Sequence, residues 1–253
     1  MSGRFVYGVN PVLEALRARP DEVVRVLLER GRDGKRSHGG ERVAQAAEHA
    51  GVRIDDAPTG DLARRANGGV HQGAGAELAE FRYSELFDLV EAAQASERPA
   101  FLLLLDGVTD PQNLGALVRS AHALGAHGVV LPKDRAVGVT PAAFKAAAGA
   151  LEHCPIARVT NLVRALEELK EARIWTVALA GEGEERLDQI DLTSPIALVL
   201  GSEGTGVRPL VRKTCDHVAR IAMHGQVGSL NVSAAGAVAL YEVARQRRGP
   251  SNS

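Results

Sequence analysis

The stretch Phe101-Leu-Leu-Leu-Leu-Asp106-Gly-Val-Thr-Asp110-Pro-Gln-Asn113-Leu-Gly-Ala-Leu-Val-Arg119 sets the architecture of the carboxy-terminal part of this chain. Its first five residues are apolar without alternation, the pattern of a strand buried on both faces. Asp110 then offers a side-chain cap and Pro111 takes the first helical position. Leu114, Leu117, Val118, Ala121 and Leu124 keep helical spacing up to Gly125, so a helix follows the strand. Four more apolar runs of strand length come later: Gly128 to Leu131, Ile174 to Ala180, Ile196 to Leu200 and Val218 to Met223. Helix-length segments separate most of them, which predicts a mostly parallel sheet covered on both faces, an α/β domain.

Toward the end of the chain, a last helix is expected over about Ser229 to Arg247. It places Val232, Ala235, Ala239 and Val243 on one face, and Ala234-Ala-Gly-Ala237 offers small surfaces for close packing. Toward the beginning, short helices and strands alternate. A helix is expected at Pro11 to Arg19, a strand at Val23 to Leu28, a helix at Arg42 to Ala50 and an extended piece at Val52 to Ile54. A short helix near Asp61 to Arg65 and the segment His71 to Leu78 complete the series. Residues 1–80 therefore read as a small α/β domain of their own. Phe81 to Pro99 is polar and rich in Ala, Glu and Ser, the composition of a linker, so the main domain is expected over residues 100–253.

The chain has 253 residues, 45% of them hydrophobic but only 4% aromatic, so its core is built from Ala, Val and Leu, which suits α/β layers. Thirty basic and thirty-one acidic residues leave a net charge of −1, which excludes a global field that draws the protein onto nucleic acid. Any contact with nucleic acid then has to come from local patches, such as Arg30, Arg32, Lys35 and Arg36, or Arg64-Arg65. The two cysteines, Cys154 and Cys215, lack metal-ligand spacing, and no metal is expected. No apolar segment suggests secretion or a membrane span, which places the protein in the reducing cytoplasm and leaves the sequon Asn231-Val-Ser233 idle.

Three segments put polar residues where a predicted strand ends, the place at which open parallel sheets hold their ligands. They are Asp106 to Arg119, Leu200-Gly-Ser-Glu203-Gly-Thr-Gly206, and Ser229-Leu-Asn231-Val-Ser-Ala-Ala235. Each has a plain structural explanation. Asp106-Gly107 can be a turn, Arg119 a solvated helix residue, and Ser229 a cap with Asn231 inside the first helical turn. The Gly201, Gly204 and Gly206 cluster does not have dinucleotide-loop spacing and carries Glu203 where a phosphate would be repelled.

In combination and order the three segments resemble the motifs of the SpoU branch of the SPOUT RNA methyltransferases. Further matches are Tyr7-Gly8, Pro11-Val-Leu-Glu-Ala-Leu16, His71-Gln-Gly73, Leu131-Pro-Lys-Asp-Arg135, Ala148-Gly-Ala-Leu-Glu-His153 and Val159-Thr-Asn-Leu162, so the resemblance covers almost the whole chain. It is strongest to the subgroup that methylates a guanosine ribose in bacterial 23S rRNA. The resemblance implies an amino-terminal domain like ribosomal protein L30e that binds the RNA, a carboxy-terminal trefoil knot, a homodimer, and S-adenosyl-L-methionine as cofactor. It makes Asn113, Arg119, Glu203, Ser229 and Asn231 the catalytic positions. Leu200, Gly201, Ile221 and Leu230 become the cofactor contacts, with Leu179, Ala180 and Gly181 in a neighbouring loop. A transfer-RNA ribose methyltransferase or a resistance rRNA methyltransferase of the same superfamily shares these motifs, and a noncatalytic RNA-binding assembly factor is the alternative from another class.

The sulfonium of such a cofactor is already activated, so the enzyme has to align a ribose oxygen and remove its proton. Family proposals make the motif arginine, here Arg119, the base. A guanidinium pKa of about 12 or higher argues instead for a hydrogen-bonding and charge role, with Glu203 orienting polar groups. Asn113 and Arg119 are six residues apart and project about 120° from each other on one helix, which is compatible with the two serving different subunits' sites.

Overall fold

The computed structural model describes residues 4–31, 34–58, 60–225 and 228–248. In chain order the elements are β1 (Arg4–Tyr7), α1 (Val9–Ala18), β2 (Val23–Glu29), α2 (His38–His49), β3 (Ile54–Ala57), α3 (Asp61–Arg65), β4 (Ala74–Leu78), α4 (Leu86–Gln94), β5 (Phe101–Asp106) and α5 (Pro111–Ala123). They continue with β6 (Gly128–Pro132), α6 (Pro141–Ala147), β7 (Ile156–Val159), α7 (Leu162–Glu171), β8 (Trp175–Leu179), β9 (Glu185–Arg186), β10 (Ile196–Gly201), α8 (Pro209–Thr214), β11 (His217–Arg220) and α9 (Val232–Arg247). Contacts gather them into two compact units, Met1–Arg82 with Val139–His153, and Tyr83–Gly138 with Cys154–Ser253.

The first unit is a four-stranded sheet in the order β1-β4-β2-β3, antiparallel except for the β2–β3 pair. Leu28, Val43, Leu62 and Leu78 are buried in it. The segment 139–153, expected in the second domain, belongs here. Thr140 caps α6, Phe144 meets Phe81 edge-on at 6.2 Å, and Lys145 lies over the Tyr7 ring at 5.5 Å. Arg19 donates to the carbonyls of Leu151 and Glu152, and Glu14 pairs with His153. These contacts join residues far apart in the chain, so no local pattern announces them. The extended piece expected at Val52 to Ile54 is displaced to β3, and β1 has no counterpart among the expected elements.

In the second unit seven strands run in the order β7-β6-β5-β10-β8-β11-β9, and every neighbouring pair is parallel. All residues of β5 and β10, at the centre, are buried. Four-residue β7 and two-residue β9 are not evident in the sequence because each is too short to form an apolar run. The segment 81–99, expected to be a linker, is folded as well: Leu86, Leu89 and Ala93 of α4 recur at helical spacing and share one apolar cluster with Leu102, Leu104 and Val130. Its polar composition belongs to the exposed face.

From β5 the chain moves to β6 and β7 on one side, whereas β10 and β8 lie on the other. The reversal between β5 and β10 opens a crevice beyond their carboxyl ends, the ligand position of open α/β sheets. Helix α9 packs there against α5. A Cβ on Gly236 would collide with Leu117 and come within 2.8 Å of Leu200, so the small-residue stretch is what allows the approach.

Candidate active site

Asp106 closes β5 as a fully buried carboxylate, accepting from the Arg208 backbone N–H at 2.8 Å and from its Nε at 2.7 Å. It is more than the turn residue that the sequence suggested. It ties the chain beyond β10 to the end of β5. Asp110 caps α5, taking the N–H groups of Gln112 and Asn113 at 3.2 Å each, which fixes the buried Asn113 in the first turn.

The loop after β10 closes on itself through two backbone hydrogen bonds between Ser202 and Gly206, with φ +86° at Gly204 and +65° at Gly206. A Cβ on Gly201 would overlap the backbone of Gly206 and Val207, so only glycine permits this closure. The loop presents Glu203. Asn113 Nδ2 donates to Glu203 Oε1 at 3.1 Å, and Asn231 Nδ2 donates both to the same oxygen and to Asn113 Oδ1, the latter at 3.2 Å. One polar residue from each of the three segments thus meets in a closed triangle. Glu203 Oε2 has no hydrogen-bond partner among the described residues.

Asn231, expected inside the first turn of the last helix, is its N-cap: Oδ1 accepts from the N–H of Ser233 at 2.9 Å and of Ala234 at 3.4 Å. Ser229 is not the cap. It is exposed, and no hydrogen bond of its side chain occurs among the described residues. Asn231 serves the helix with its oxygen and the triangle with its nitrogen, so the cap and the triangle share one side chain.

A cavity of about 600 Å³ lies beside the triangle, lined by Leu179, Ala180, Gly181, Glu182, Leu200, Gly201, the 202–207 loop, Ser229, Leu230 and Asn231. A smaller adjoining one of about 150 Å³ adds Ile221 and Met223. All seven positions matched to cofactor contacts line one or the other. Neither has a Lys, Arg or His among its lining residues, and Glu182 of the first is paired with Arg212 of α8. Such a surface suits an apolar ring and a cation, and it repels phosphate. Glu182, Ser202 and Thr205 were not singled out in the sequence; no residue-type signal separates them from ordinary loop positions.

Arg119 is elsewhere. It is exposed on α5, does not line either cavity, and makes no hydrogen bond or ion pair among the described residues. The expected basic patch of the first unit is also partly spent: Arg30 and Arg36 both pair with Asp56, while Arg64 and Arg65 pair with Asp61. Arg32 lies outside the described residues. Arg30 and Arg36 hold the Asp56 carboxyl below its usual range, Arg30 most strongly, through its hydrogen bond.

Residues 100–241 match the model of the SpoU rRNA Methylase family, and residues 5–84 that of RNA 2'-O ribose methyltransferase substrate binding. The chain belongs to the SpoU rRNA methylase family. Among its curated relatives, the 23S rRNA (guanosine-2'-O-)-methyltransferase RlmB of Coxiella burnetii is 43% identical over 99% of this chain and 98% of its own length. The enzyme of the same description from Yersinia pestis is 44% identical over 96% of this chain and 97% of its own. Among solved structures, the SpoU methyltransferase AviRb from Streptomyces viridochromogenes, in complex with AdoMet, superposes with a TM-score of 0.82. It is 26% identical and covers 97% of this chain and 90% of its own. Among the described residues there is no helix long and apolar enough to cross a membrane, and no group of three His, Cys, Asp or Glu side chains that could hold a metal ion.

Proposed function

We propose that the chain transfers a methyl group from S-adenosyl-L-methionine to the 2′-oxygen of a guanosine ribose in 23S rRNA. The observation that carries this reading is the meeting of Asn113, Glu203 and Asn231 beside a cavity without basic residues. Near-full-length relatives described as guanosine-2'-O-methyltransferases support the substrate. The cofactor fits the cavity in size and in charge: backbone and apolar side chains suit a nucleoside, and the carboxylate of Glu203 suits a positive centre. When bound, it supplies an activated methyl group.

The residues of the chain then have separable tasks. Leu179, Ala180, Gly181, Leu200, Gly201, Ile221 and Leu230 shape the cofactor cavity. Asn113 and Asn231 hold Glu203 by amide donors, so its carboxylate is fixed in place before any ligand arrives. Ser229 contributes a hydroxyl at the rim. Arg119 grips the ribose and its phosphate by charge-assisted hydrogen bonds.

Arg119 is exposed and lines neither cavity of its own chain, so we assign it to the site of a second copy in a homodimer. Val238 and Tyr241 of α9 are 45% and 49% exposed, and these large apolar side chains on the surface support such an interface. The trefoil knot belongs to the same reading, supported by the match of residues 100–241 to the SpoU rRNA Methylase model. The first unit selects the RNA, as the match of residues 5–84 to a substrate-binding model supports, and the enzyme works in the cytoplasm. Calorimetry with S-adenosyl-L-methionine tests the cofactor assignment: saturable binding is expected, and its absence in folded protein contradicts the reading.

A further inference from the structure

At the amino-terminal end of β5, opposite to the strand ends that carry Asp106 and Gly201, a separate cavity of about 500 Å³ lies between the last turns of α5 and α9. Arg98, His122, Arg247 and Arg248 line it, and no Asp or Glu does. Its charge is thus the reverse of that beside Glu203. The Arg98 guanidinium reaches over Gly125: a Cβ there would lie 2.6 Å from Nη1, and φ at Gly125 is +86°. That guanidinium makes no hydrogen bond or ion pair among the described residues.

The donors already present are in excess of acceptors. Arg247 is satisfied, donating to the carbonyls of Pro99, Ala100, Leu192 and Ser194. Arg248 lies over the Tyr241 ring at 5.5 Å, without a carboxylate partner among the described residues. Helix α5 offers little compensation from its carboxyl end, because the carbonyls of Ser120, Ala121 and His122 are taken by the turn at 124–126. Next to the cavity-lining Ala126, His127 accepts the Phe101 N–H on Nδ1 at 3.0 Å, which puts its proton on Nε2. That atom is buried and has no acceptor among the described residues. Burial, and then the charge of Arg98, push the Arg247 guanidinium down to about 10 and hold His127 below the usual histidine range. Among the described residues no Asp or Glu lines the cavity to offset this charge.

We propose that this cavity holds a phosphodiester of the RNA substrate, gripped by Arg98 and Arg248, as an anchor at the end of the sheet opposite to methyl transfer. The inference rests on the reading of the chain as an RNA methyltransferase. Arginine suits the task because its fork of donors matches phosphate oxygens, and such contacts position an RNA without reading its sequence. Both side chains are exposed, so their replacement leaves the core intact.

The test is filter binding of a 23S rRNA transcript to the full chain and to the double variant Arg98→Gln/Arg248→Gln, across a series of salt concentrations. Melting temperature and S-adenosylmethionine affinity of the variant are expected to match those of the parent. RNA affinity at low salt is expected to fall on the order of tenfold, and the slope of log affinity against log salt to shrink by about 0.7–0.9 for each phosphate no longer neutralised. Equal affinity and slope in the two proteins overturn the proposal while leaving the methyltransferase reading intact. So does a result in which inorganic phosphate stabilises only the parent and RNA binding is unchanged, since the cavity then serves a small anion. If the parent binds cofactor but no RNA at any salt, the reading beneath the inference fails with it.

Discussion

Asn113 and Asn231 lie 118 residues apart in the sequence and share a hydrogen bond of 3.2 Å, while both donate to the same oxygen of Glu203. The pairing joins the first turn of α5 to the cap of α9. Through it the fold of the second unit and the chemistry proposed for its crevice draw on the same side chains.

The two roles of Asn231 can be separated by substitution. Asn231→Ala removes the cap and the amide donor, and is expected to cost about 1 kcal/mol of stability together with most methyl transfer. Asn231→Ser keeps a capping oxygen but has no amide to offer Glu203, so stability is expected to return and activity to stay low. Thermal melts and initial rates on both variants decide this. Recovery of activity in the serine variant would show that Asn231 acts only as a cap.

Gly201→Ala is expected to displace the loop that carries Glu203, because the added Cβ meets backbone at Gly206 and Val207 and no side-chain rotation relieves it. Calorimetry should show cofactor affinity falling more than tenfold on the scale where 1.4 kcal/mol is a factor of ten. Unchanged affinity would mean that the loop does not shape the cofactor cavity.

Gly236→Leu forces α9 away from Leu117 and Leu200. Overpacking of this kind costs roughly 1–3 kcal/mol, which a denaturant titration should register as an earlier midpoint with unchanged slope. Cofactor affinity is expected to fall as well, since Asn231 starts the same helix. No change in midpoint would show that the α5–α9 packing is loose.

Below α8, Asp216 accepts from the backbone N–H and the hydroxyl of buried Thr176 at 2.9 and 2.7 Å and pairs with Lys170 at 3.0 Å. Burial alone would raise its pKa, but these hydrogen bonds outweigh burial and hold the carboxyl below the usual range. A carboxyl depressed in the folded state contributes stability that is present above the unfolded value of about 3.9 and is lost as pH falls through the folded value. Asp216→Asn is therefore expected to lower stability at pH 7 and to flatten the loss of stability between about pH 5 and pH 2. An acid limb as steep as that of the parent would contradict the assignment.

Much of the second unit is legible in the sequence. Its central strands are unbroken apolar runs, and Asp110-Pro111 marks the start of α5. The three polar segments are legible as candidates because each follows a strand, but their meeting at Glu203 is not, since periodicity says nothing about contacts more than a hundred residues apart. Arg119 shows the limit from the other side: its residue type and position match the motif, yet it does not line the cavity of its own chain. Composition misplaces the linker because it averages over the two faces of α4, whereas burial depends on three residues of one face. A chain beginning at Ser96 lacks Leu86 and Leu89 and forfeits roughly 3–6 kcal/mol of apolar burial. Compared with one beginning at Tyr83, it is expected to unfold less cooperatively or to aggregate, as circular dichroism and sedimentation would report.

The most direct measurement is mass spectrometry of nucleosides from an unmodified 23S rRNA transcript incubated with the protein and S-adenosyl-L-methionine. We expect 2′-O-methylguanosine to accumulate toward one residue per transcript with the parent chain, and to be absent with Arg119→Ala, whose cofactor affinity stays unchanged. A methyl group found on a base, or full activity in the Arg119→Ala protein, would contradict the proposed reaction and the role assigned to that arginine.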